Sequence, residues 1–416
     1  MIISRDRYLN QLIAAKNNGM VKIVTGIRRS GKSFLLTTIF HNHLLDQGVP
    51  EDHIIEISLD NRRNKRLRNP DSLLDFIDEK ILPDGHTHYV ILDEIQLVDD
   101  FAEVLLSLMQ DKRLDVYVSG SNSKFLSKDV ITEFRGRGDE IHLYPLSFSE
   151  YYSAVGGDKN DAWKDYYTYG GLPQVLQFKD EEKKIDYLSN LYELTYLKDI
   201  IERNHIRNAE GLKQLVQILA SNIGSPTNVQ RITNTFLSSE KNKIKDSTIK
   251  EYLGYMQDAF LIEGAQRYNV KGRKYIGTET KYYFADVGLR GAILNFRQQE
   301  ETHIMENIIY NELRSRGYHV DVGIVEKWGS NAEQKKVRLS LEVDFIVNRG
   351  AERIYIQSAY RLPTDDKEAQ EKRSLLNTGD SFRKIIIVGE DIKQKKDEQG
   401  IVTMGLFEFL LNPASI

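Results

Sequence analysis

The 416-residue sequence contains no cysteine. That absence removes disulfides, thiolate zinc centres, iron–sulfur clusters and cysteine nucleophiles together, and it suits a reducing compartment. Long apolar runs are missing too. No stretch approaches the roughly 20 residues that a bilayer-spanning helix needs. The start, Met1-Ile2-Ile3-Ser4-Arg5-Asp6-Arg7, turns charged before a signal-peptide core can form. Nor is there an excess of charge of one sign: 57 basic and 61 acidic side chains give a formal net charge of −4. This speaks against a polycation that coats nucleic acid and leaves local basic patches open, because binding depends on where charge sits. No internal repeat or low-complexity tract stands out. A cytoplasmic protein with no membrane partner is expected.

A hydrophobic content of 40% and a charged content of 28% describe a globular chain, long enough for two or three domains with sizeable cores. From about 20 to 145, Ile- and Val-rich runs at 21–25, 53–59, 88–92, 114–118 and 139–143 alternate with helical stretches. Fully buried parallel strands read this way, which predicts a five-stranded doubly wound core. From 146 to 205 the chain is helical and aromatic. Tyr151, Tyr152, Trp163, Tyr166, Tyr167 and Tyr169 read as the core of a small helical subdomain. Residues 206–290 read as a helix broken at Gly224-Ser225-Pro226, a second helix at 228–237, and a third capped by Asp246-Ser247-Thr248 and running to about 262. A hairpin over 263–284, turning at Val270-Lys271-Gly272-Arg273, completes the order of a winged helix. The remainder, 295–416, reads as another α/β unit, with a helix at 301–316 and strands near 318–325, 338–347, 352–359 and 384–388.

The chemistry is concentrated after the first predicted strand. Gly26-Ile27-Arg28-Arg29-Ser30-Gly31-Lys32-Ser33 matches G-x-x-x-x-G-K-[ST] in full, with Phe34 following as the predicted helix opens. Glycines let consecutive backbone N–H groups face phosphates, and the helix N-terminus adds its positive end. Lys32 reaches the β- and γ-phosphates of ATP, and the Ser33 hydroxyl ligates Mg²⁺. Tyr89-Val90-Ile91-Leu92-Asp93-Glu94 places paired carboxylates at the end of a later strand, the edge where α/β sheets hold ligands. Asp93 is expected to hold Mg²⁺ through water and Glu94 to orient and polarise the attacking water, which favours hydrolysis over phosphoryl transfer to a small molecule. After the fourth strand, Asn122 or Ser121 is a candidate contact to the γ-phosphate or lytic water, with a simple helix cap as the alternative. Arg137, in Arg135-Gly136-Arg137, is a candidate finger on a neighbour's γ-phosphate or else a solvated surface arginine. Arg28 and Arg29 either brace a subdomain or point to water.

Together these residues resemble the prokaryotic AAA+ ATPases of the archaeal-ATPase and origin-recognition-like branch. The matching stretches are residues 26–33, Asp93-Glu94-Ile95-Gln96, Gly120-Ser121-Asn122, Gly136-Arg137, Pro145-Leu146-Ser147-Phe148, Gly170-Gly171-Leu172-Pro173 and Tyr196-Leu197-Lys198-Asp199-Ile200. The resemblance implies a P-loop AAA+ core at 1–145, a helical lid at 146–205, a winged helix at 206–290 and, at 295–416, a PD-(D/E)XK (restriction-endonuclease-like) α/β domain. In that last domain the matching residues are Glu306, Glu342-Val343-Asp344-Phe345 and Tyr355-Ile356-Gln357-Ser358-Ala359-Tyr360. A metal-dependent nuclease needs carboxylates for Mg²⁺ and a lysine to position water or stabilise charge. Here the second acid of the motif is Gln357 and its lysine is Ala359, so a degenerate, inactive site is expected.

Segment 241–281 carries nine Lys or Arg against five Asp or Glu, a local excess of four. Lys241, Lys243, Lys245, Lys250, Arg267, Lys271, Arg273 and Lys274 flank or lie on the predicted third helix and hairpin. That layout suits a helix in the major groove of duplex DNA with a basic wing on its backbone; a protein docking surface is the alternative. The basic run at 61–68 reads as a solvated loop. The expected function is an ATP- and Mg²⁺-dependent ATPase acting as a conformational switch, with duplex DNA, a protein partner or its own copies as partners. An ATP-regulated nuclease and an ATP-binding scaffold with little hydrolysis are the competing readings.

Overall fold

Residues 3–121, 136–238, 244–297, 300–330 and 336–416 are described in the computed structural model. Five short strands, β1 (Val21–Thr25), β2 (Ile54–Ser58), β3 (His88–Asp93), β4 (Leu114–Ser119) and β5 (Gly138–His142), form a sheet in the order β2-β3-β4-β1-β5. Every pairing is parallel. β1 and β3 are buried along their whole length, as continuous Val and Ile runs require when helices cover both faces. One apolar cluster gathers Ile23, Val90, Leu92 and Val118, and another gathers Val24, Ile91, Tyr117 and Leu143. Between them Lys22, fully buried, is ion-paired to Asp115, which also accepts the Tyr117 hydroxyl at 2.8 Å. This sheet belongs to a compact unit made of Met1–Pro145 and Asp258–Phe260.

The second compact unit comprises Leu146–Gln257 and Leu261–Ile416. It begins with helices Phe148–Val155, Lys159–Tyr169 and Glu181–Leu191. Tyr151, Tyr166 and Tyr169 are buried among them, with the Tyr151 and Tyr166 rings 5.2 Å apart, the core role their spacing predicts. Helices Ala209–Ser221, Val229–Ser238 and Asp246–Asp258 follow. The third stops four residues short of the predicted end, because Phe260 takes a left-handed φ of 54° and the chain leaves it as a strand.

That strand, β7 (Ile262–Asn269), forms an antiparallel hairpin with β8 (Lys274–Phe284), and a two-residue strand β6 (Pro226–Thr227) lines the outer side of β8. The hairpin does not end there. β7 also pairs in parallel with β9 (His319–Ser330) through Arg267↔Val322, Tyr268↔Gly323 and Asn269↔Ile324. With β10 (Lys336–Arg349), β11 (Glu352–Ala359), β12 (Arg383–Val388), β13 (Lys395–Lys396) and β14 (Ile401–Gly405) this makes one nine-stranded sheet, β13-β14-β12-β11-β10-β9-β7-β8-β6. Strands that the sequence distributes between residues 206–290 and 295–416 therefore share a ladder. Helix Asp365–Leu376, which the sequence reading passes over, is almost wholly polar and gives no apolar period. No helix among the described residues is long and apolar enough to cross a membrane.

The Gly170-Gly171 pair has a steric explanation. Side-chain oxygens of Asp286 cap helix Val287–Ile293 by accepting from Leu289 N at 3.0 Å and accept from Gly171 N at 2.7 Å. A Cβ on Gly170 would lie 2.2 Å from Asp286 Oδ1, and one on Gly171 would lie 2.3 Å from the Leu146 carbonyl. Burial pushes the Asp286 carboxyl up to about 6, against the pull of the surrounding backbone N–H groups. A raised carboxyl makes the folded state bind its proton more tightly than the unfolded chain. Its contribution to stability therefore falls as pH rises from 3.8 to about 6, by about 3 kcal/mol over that window. Urea unfolding of wild type and Asp286→Asn across this range should show the wild type losing ground to the variant as pH rises. A pH-independent gap between the two would remove Asp286 from this role.

Candidate functional site

In a parallel sheet all strands deliver their following loops to one edge, and three such loops meet here. After β1 the chain curls through Gly26 (φ 137°), Arg29 (φ 64°) and Gly31 (φ 99°) into a continuous helix over residues 32–46. Gly26 is dictated by space: a Cβ there would lie 2.2 Å from the Leu143 carbonyl oxygen. Lys32 is buried, and its ammonium donates to the carbonyls of Gly26 at 2.9 Å and Ile27 at 3.1 Å. Burial lowers its pKa to about 8, although Glu94 and Asp93 pull it back up. Ile27 and Ser30 are buried within the loop, whereas Ser33 and Phe34 are exposed at the opening of the helix.

β3 ends at Asp93, buried, and Glu94 follows in a left-handed conformation (φ 56°) that turns its side chain out of the strand's alternation. The neighbouring β4 braces both. Ser119 Oγ donates to Asp93 Oδ1, and Glu94 N donates to Ser119 Oγ at 3.1 Å. Glu94 Oε2 accepts from Gln96 Nε2 and, at 3.1 Å, from Ser121 Oγ. Ser121 Oγ also lies 3.5 Å from Arg28 Nε, so Arg28 is drawn in through Ser121 while Arg29 is exposed. Of the two polar residues proposed after β4, Ser121 thus reaches Glu94; Asn122 lies outside the described residues, as does Arg135. Arg137 is exposed, and its carbonyl accepts from Val21 N at the start of β1, the sheet edge opposite the glycine loop. It cannot serve the site of its own chain, so a finger role would have to act on another copy. Gln96, which the sequence shows only as part of the Asp93-Glu94-Ile95-Gln96 string, holds Glu94 locally, whereas Ser119 has no role legible in the sequence because its contacts depend on β4 lying beside β3.

These residues fit a magnesium nucleotide. Ser30 Oγ is buried with no hydrogen-bond partner among the described residues. The loop approaches too closely for a side chain at Gly26, and a carboxylate (Asp93), a hydroxyl (Ser33) and an ammonium (Lys32) converge in type and placement with phosphate and a hard cation.

The C-terminal carboxylates behave differently. Glu306, on helix Glu301–Ser315, and Glu342 and Asp344, on β10, do converge, but on a lysine. Lys281 of β8, 3% exposed, donates to Glu306 Oε1 at 3.0 Å and Glu342 Oε1 at 2.7 Å, and the Tyr283 hydroxyl donates to Glu306 Oε1 at 2.7 Å. Burial opposes its charge, yet Glu306, Asp344 and Glu342 together raise the Lys281 pKa above the ordinary lysine value. Burial and then Glu306 push the Asp344 carboxyl well up; its Oδ2 accepts from Ser358 N at 2.8 Å. Gln357 is turned to Ser374 Oγ at 3.3 Å, and Ala359 is part of an apolar cluster. Lys281 sits where these acidic side chains meet and offsets one of their charges, paired directly with Glu306 and Glu342. Lys281 and Arg267 both counted toward the basic excess of 241–281. The first is buried, and the second is paired to Glu279 at 2.6 Å. Lys245, Lys250, Lys271, Arg273 and Lys274 stay exposed, while Lys241 and Lys243 lie outside the described residues.

Among the described residues, the cluster of metal-ligand type is His53, Asp84 and His88, with donor atoms within 4.8 Å of one another. Its geometry is that of an ion-paired clamp. His53 bridges Asp52 and Asp84 at 2.8 Å each and stacks on His88 with ring planes 20° apart, so the in-plane lone pairs do not converge. His88 Nε2 already accepts from Leu82 N at 3.0 Å.

Residues 18–152 match the family described as AAA domain, and residues 160–300 match a family described as a domain of unknown function. An uncharacterised protein of Haemophilus influenzae is 32% identical over 415 residues, covering 99% of both chains. An uncharacterised protein of Methanocaldococcus jannaschii is 28% identical over 389 residues, covering 89% of this chain and 80% of that one. Among solved structures, the Walker-type ATPase of Pyrococcus abyssi is similar with a TM-score of 0.48 and 17% identity, over 70% of this chain and 96% of that chain.

Removing one partner of a buried charge cluster strands the others, typically at about 3–5 kcal/mol. Lys281→Met should lower the stability of the larger unit by that order in urea unfolding at neutral pH. Adding Glu306→Gln should recover part of the loss, and an unaltered unfolding midpoint in Lys281→Met would contradict the ion cluster.

Proposed function

The chain belongs to the same family as the Haemophilus influenzae protein, one of P-loop NTPases carrying an AAA domain, and on that footing we propose that it is an Mg²⁺-dependent ATPase that works as a nucleotide-driven switch, with duplex DNA as the partner of its larger unit. The observation that carries the reading is the brace around Glu94. Gln96 and Ser121 hold one carboxylate oxygen, the left-handed backbone aims the group away from the strand, and Lys32 stands close enough to feel its charge. A carboxylate so held is suited to orient and polarise a water against a γ-phosphate. The backbone amides of the 26–33 loop and the Lys32 ammonium bind the phosphates, and charge-assisted hydrogen bonds of this kind strengthen where water is excluded. Mg²⁺, held by Ser33 and by Asp93 through water, would neutralise phosphate charge. Ser119 keeps Asp93 in place from the next strand.

DNA as partner is supported by exposed Lys245 just before helix Asp246–Asp258, exposed Lys250 on it, and exposed Lys271, Arg273 and Lys274 at the β7–β8 turn. With Lys281 and Arg267 withdrawn from the surface, binding should be weaker and more phosphate-directed than the sequence count alone implies. The ATP-regulated nuclease is the less favoured reading, because Gln357 and Ala359 stand where the motif needs an acid and a lysine. Arg137 as a finger would require assembly of copies of the chain.

Two substitutions test the ATPase. Glu94→Gln should retain ATP binding and lose steady-state phosphate release by about a hundredfold or more; unchanged turnover would take Glu94 out of the reaction. Lys32→Ala should weaken ATP binding by about tenfold or more, measured by equilibrium titration. Phosphate release at fixed salt, with and without duplex DNA, tests the partner: stimulation supports DNA coupling, and indifference points to a protein partner instead.

A further inference from the structure

Strands β9 and β10 outrun the sheet to which they belong. Among the described residues, β9 pairs with β7 only at residues 322–324, and β10 pairs with β11 only at residues 345–349. Residues 325–330 and 336–341 pair with each other alone, as a two-stranded ribbon. Such a ribbon is marginal by itself, and this one is anchored at its base, where buried Val325 and part-buried Leu341 join an apolar cluster. Farther out the two faces differ. On one, Leu339 packs so closely across Gly329 that a Cβ there would lie 2.4 Å from its methyl carbon. Strand alternation turns Trp328 to the other face, where it is 65% exposed. Arg338 stands opposite Trp328 in the ladder, is exposed as well, and is ion-paired to Glu326. Glu326 also accepts from Asn269 Nδ2 at 2.8 Å, and Asn269 is the ladder partner of exposed Lys274. Residues opposite one another share a face. Lys274, Arg338 and Trp328 therefore lie along one face of two neighbouring strand pairs, and the acid between them, Glu326, is already held.

The surroundings are poor in acid. Residues 264–278 contain four Lys or Arg and no Asp or Glu, and residues 327–341 contain four Lys or Arg and one Glu, in a chain of formal net charge −4. Positive charge so concentrated suits a polyphosphate, and an exposed indole within it suits the face of a base. Two arrangements of nucleic acid offer that face. To enter a duplex, Trp328 would have to open a base step, which is itself unfavourable. An unpaired base presents its face without that cost. Trp328 lies four residues past Ile324, the last partner of β7, about 13 Å along the strand. Lys271, Arg273 and Lys274 on the turn and the indole on the ribbon are thus spaced to meet one DNA about four base-pair rises apart. We propose that the ribbon receives an unpaired base where a DNA duplex opens into single strand, with Trp328 stacked on the base and Arg338 and Lys274 on the flanking phosphates. DNA as the partner of the larger unit is the reading on which this rests; the ribbon adds a preference for forked over blunt ends.

Trp328 can report its own stacking, because the chain has only two tryptophans. The full chain carrying Trp163→Phe is titrated, at one salt concentration, with a blunt duplex, the same duplex ending in a fork of unpaired deoxyadenosines, and one single strand alone. Anisotropy of labelled DNA follows binding, and quenching of Trp328 emission follows stacking. The fork is expected to bind about tenfold or more tighter than the blunt duplex and to quench emission that the blunt duplex leaves unchanged. In the otherwise unaltered chain, Trp328→Ala should bring the fork to the level of the blunt duplex without weakening the latter, and Trp328→Phe should keep part of the preference. A fork that leaves emission unchanged, a single strand bound as tightly as the fork, or a fork preference that survives Trp328→Ala overturns the proposal. Blunt-duplex binding that falls with Lys271→Ala and Arg273→Ala, while Trp328→Ala leaves the fork unaffected, removes the ribbon alone. Failure of all three DNAs to bind removes the DNA reading together with it.

Discussion

One ammonium group, that of Lys281, decides how the larger unit is put together. Glu306 and Asp344 are buried beside it and Glu342 reaches it from a partly exposed position, so without this internal cation the buried acids would face the cost of a desolvated charge. Because Lys281 belongs to β8 and the carboxylates to the helix at 301–315 and to β10, the neutralisation stitches the hairpin to the C-terminal strands. Asn307 repeats the stitch in neutral form, accepting from Phe284 N and donating to Phe284 O, each at 2.8 Å. The β7–β9 pairing then continues the ladder between the same two chain segments. The two chain segments that the sequence assigns to separate domains are thus held together by these buried partners.

The sequence was legible where chemistry is contiguous. The glycine loop and the Asp93-Glu94 pair are local strings whose spacing reflects the reach of a backbone around phosphate, and both fall where the sheet places them. The five parallel strands were legible because burial on both faces leaves unbroken Val and Ile runs. What depended on strand order was not legible. Ser119 matters only because β4 lies beside β3, and a serine at a strand end has no local mark that distinguishes it from a cap. Lys281 looked like one more cation in a basic segment, and nothing in its neighbours announces that it faces inward.

The nucleotide loop shows a similar economy. Lys32 is held by two carbonyls of its own loop, so an incoming phosphate replaces existing hydrogen bonds instead of creating order from a free side chain. Glu94 is likewise held by Gln96 and Ser121. Groups fixed beforehand lose little conformational freedom on binding, which is the advantage preorganisation gives to charged sites.

The parallel pairing of β7 with β9 has a consequence for synthesis on the ribosome. The partner of β7 begins at His319, about fifty residues later, so the hairpin emerges with an open edge, and Lys281 meets Glu306 first and Glu342 only once β10 has been made. Non-local ladders of this kind close slowly and expose strand edges meanwhile. Translation halted near residue 300 would leave a nascent chain with a ready-made template for mispairing, whereas one that continues past residue 349 carries its own edge protection.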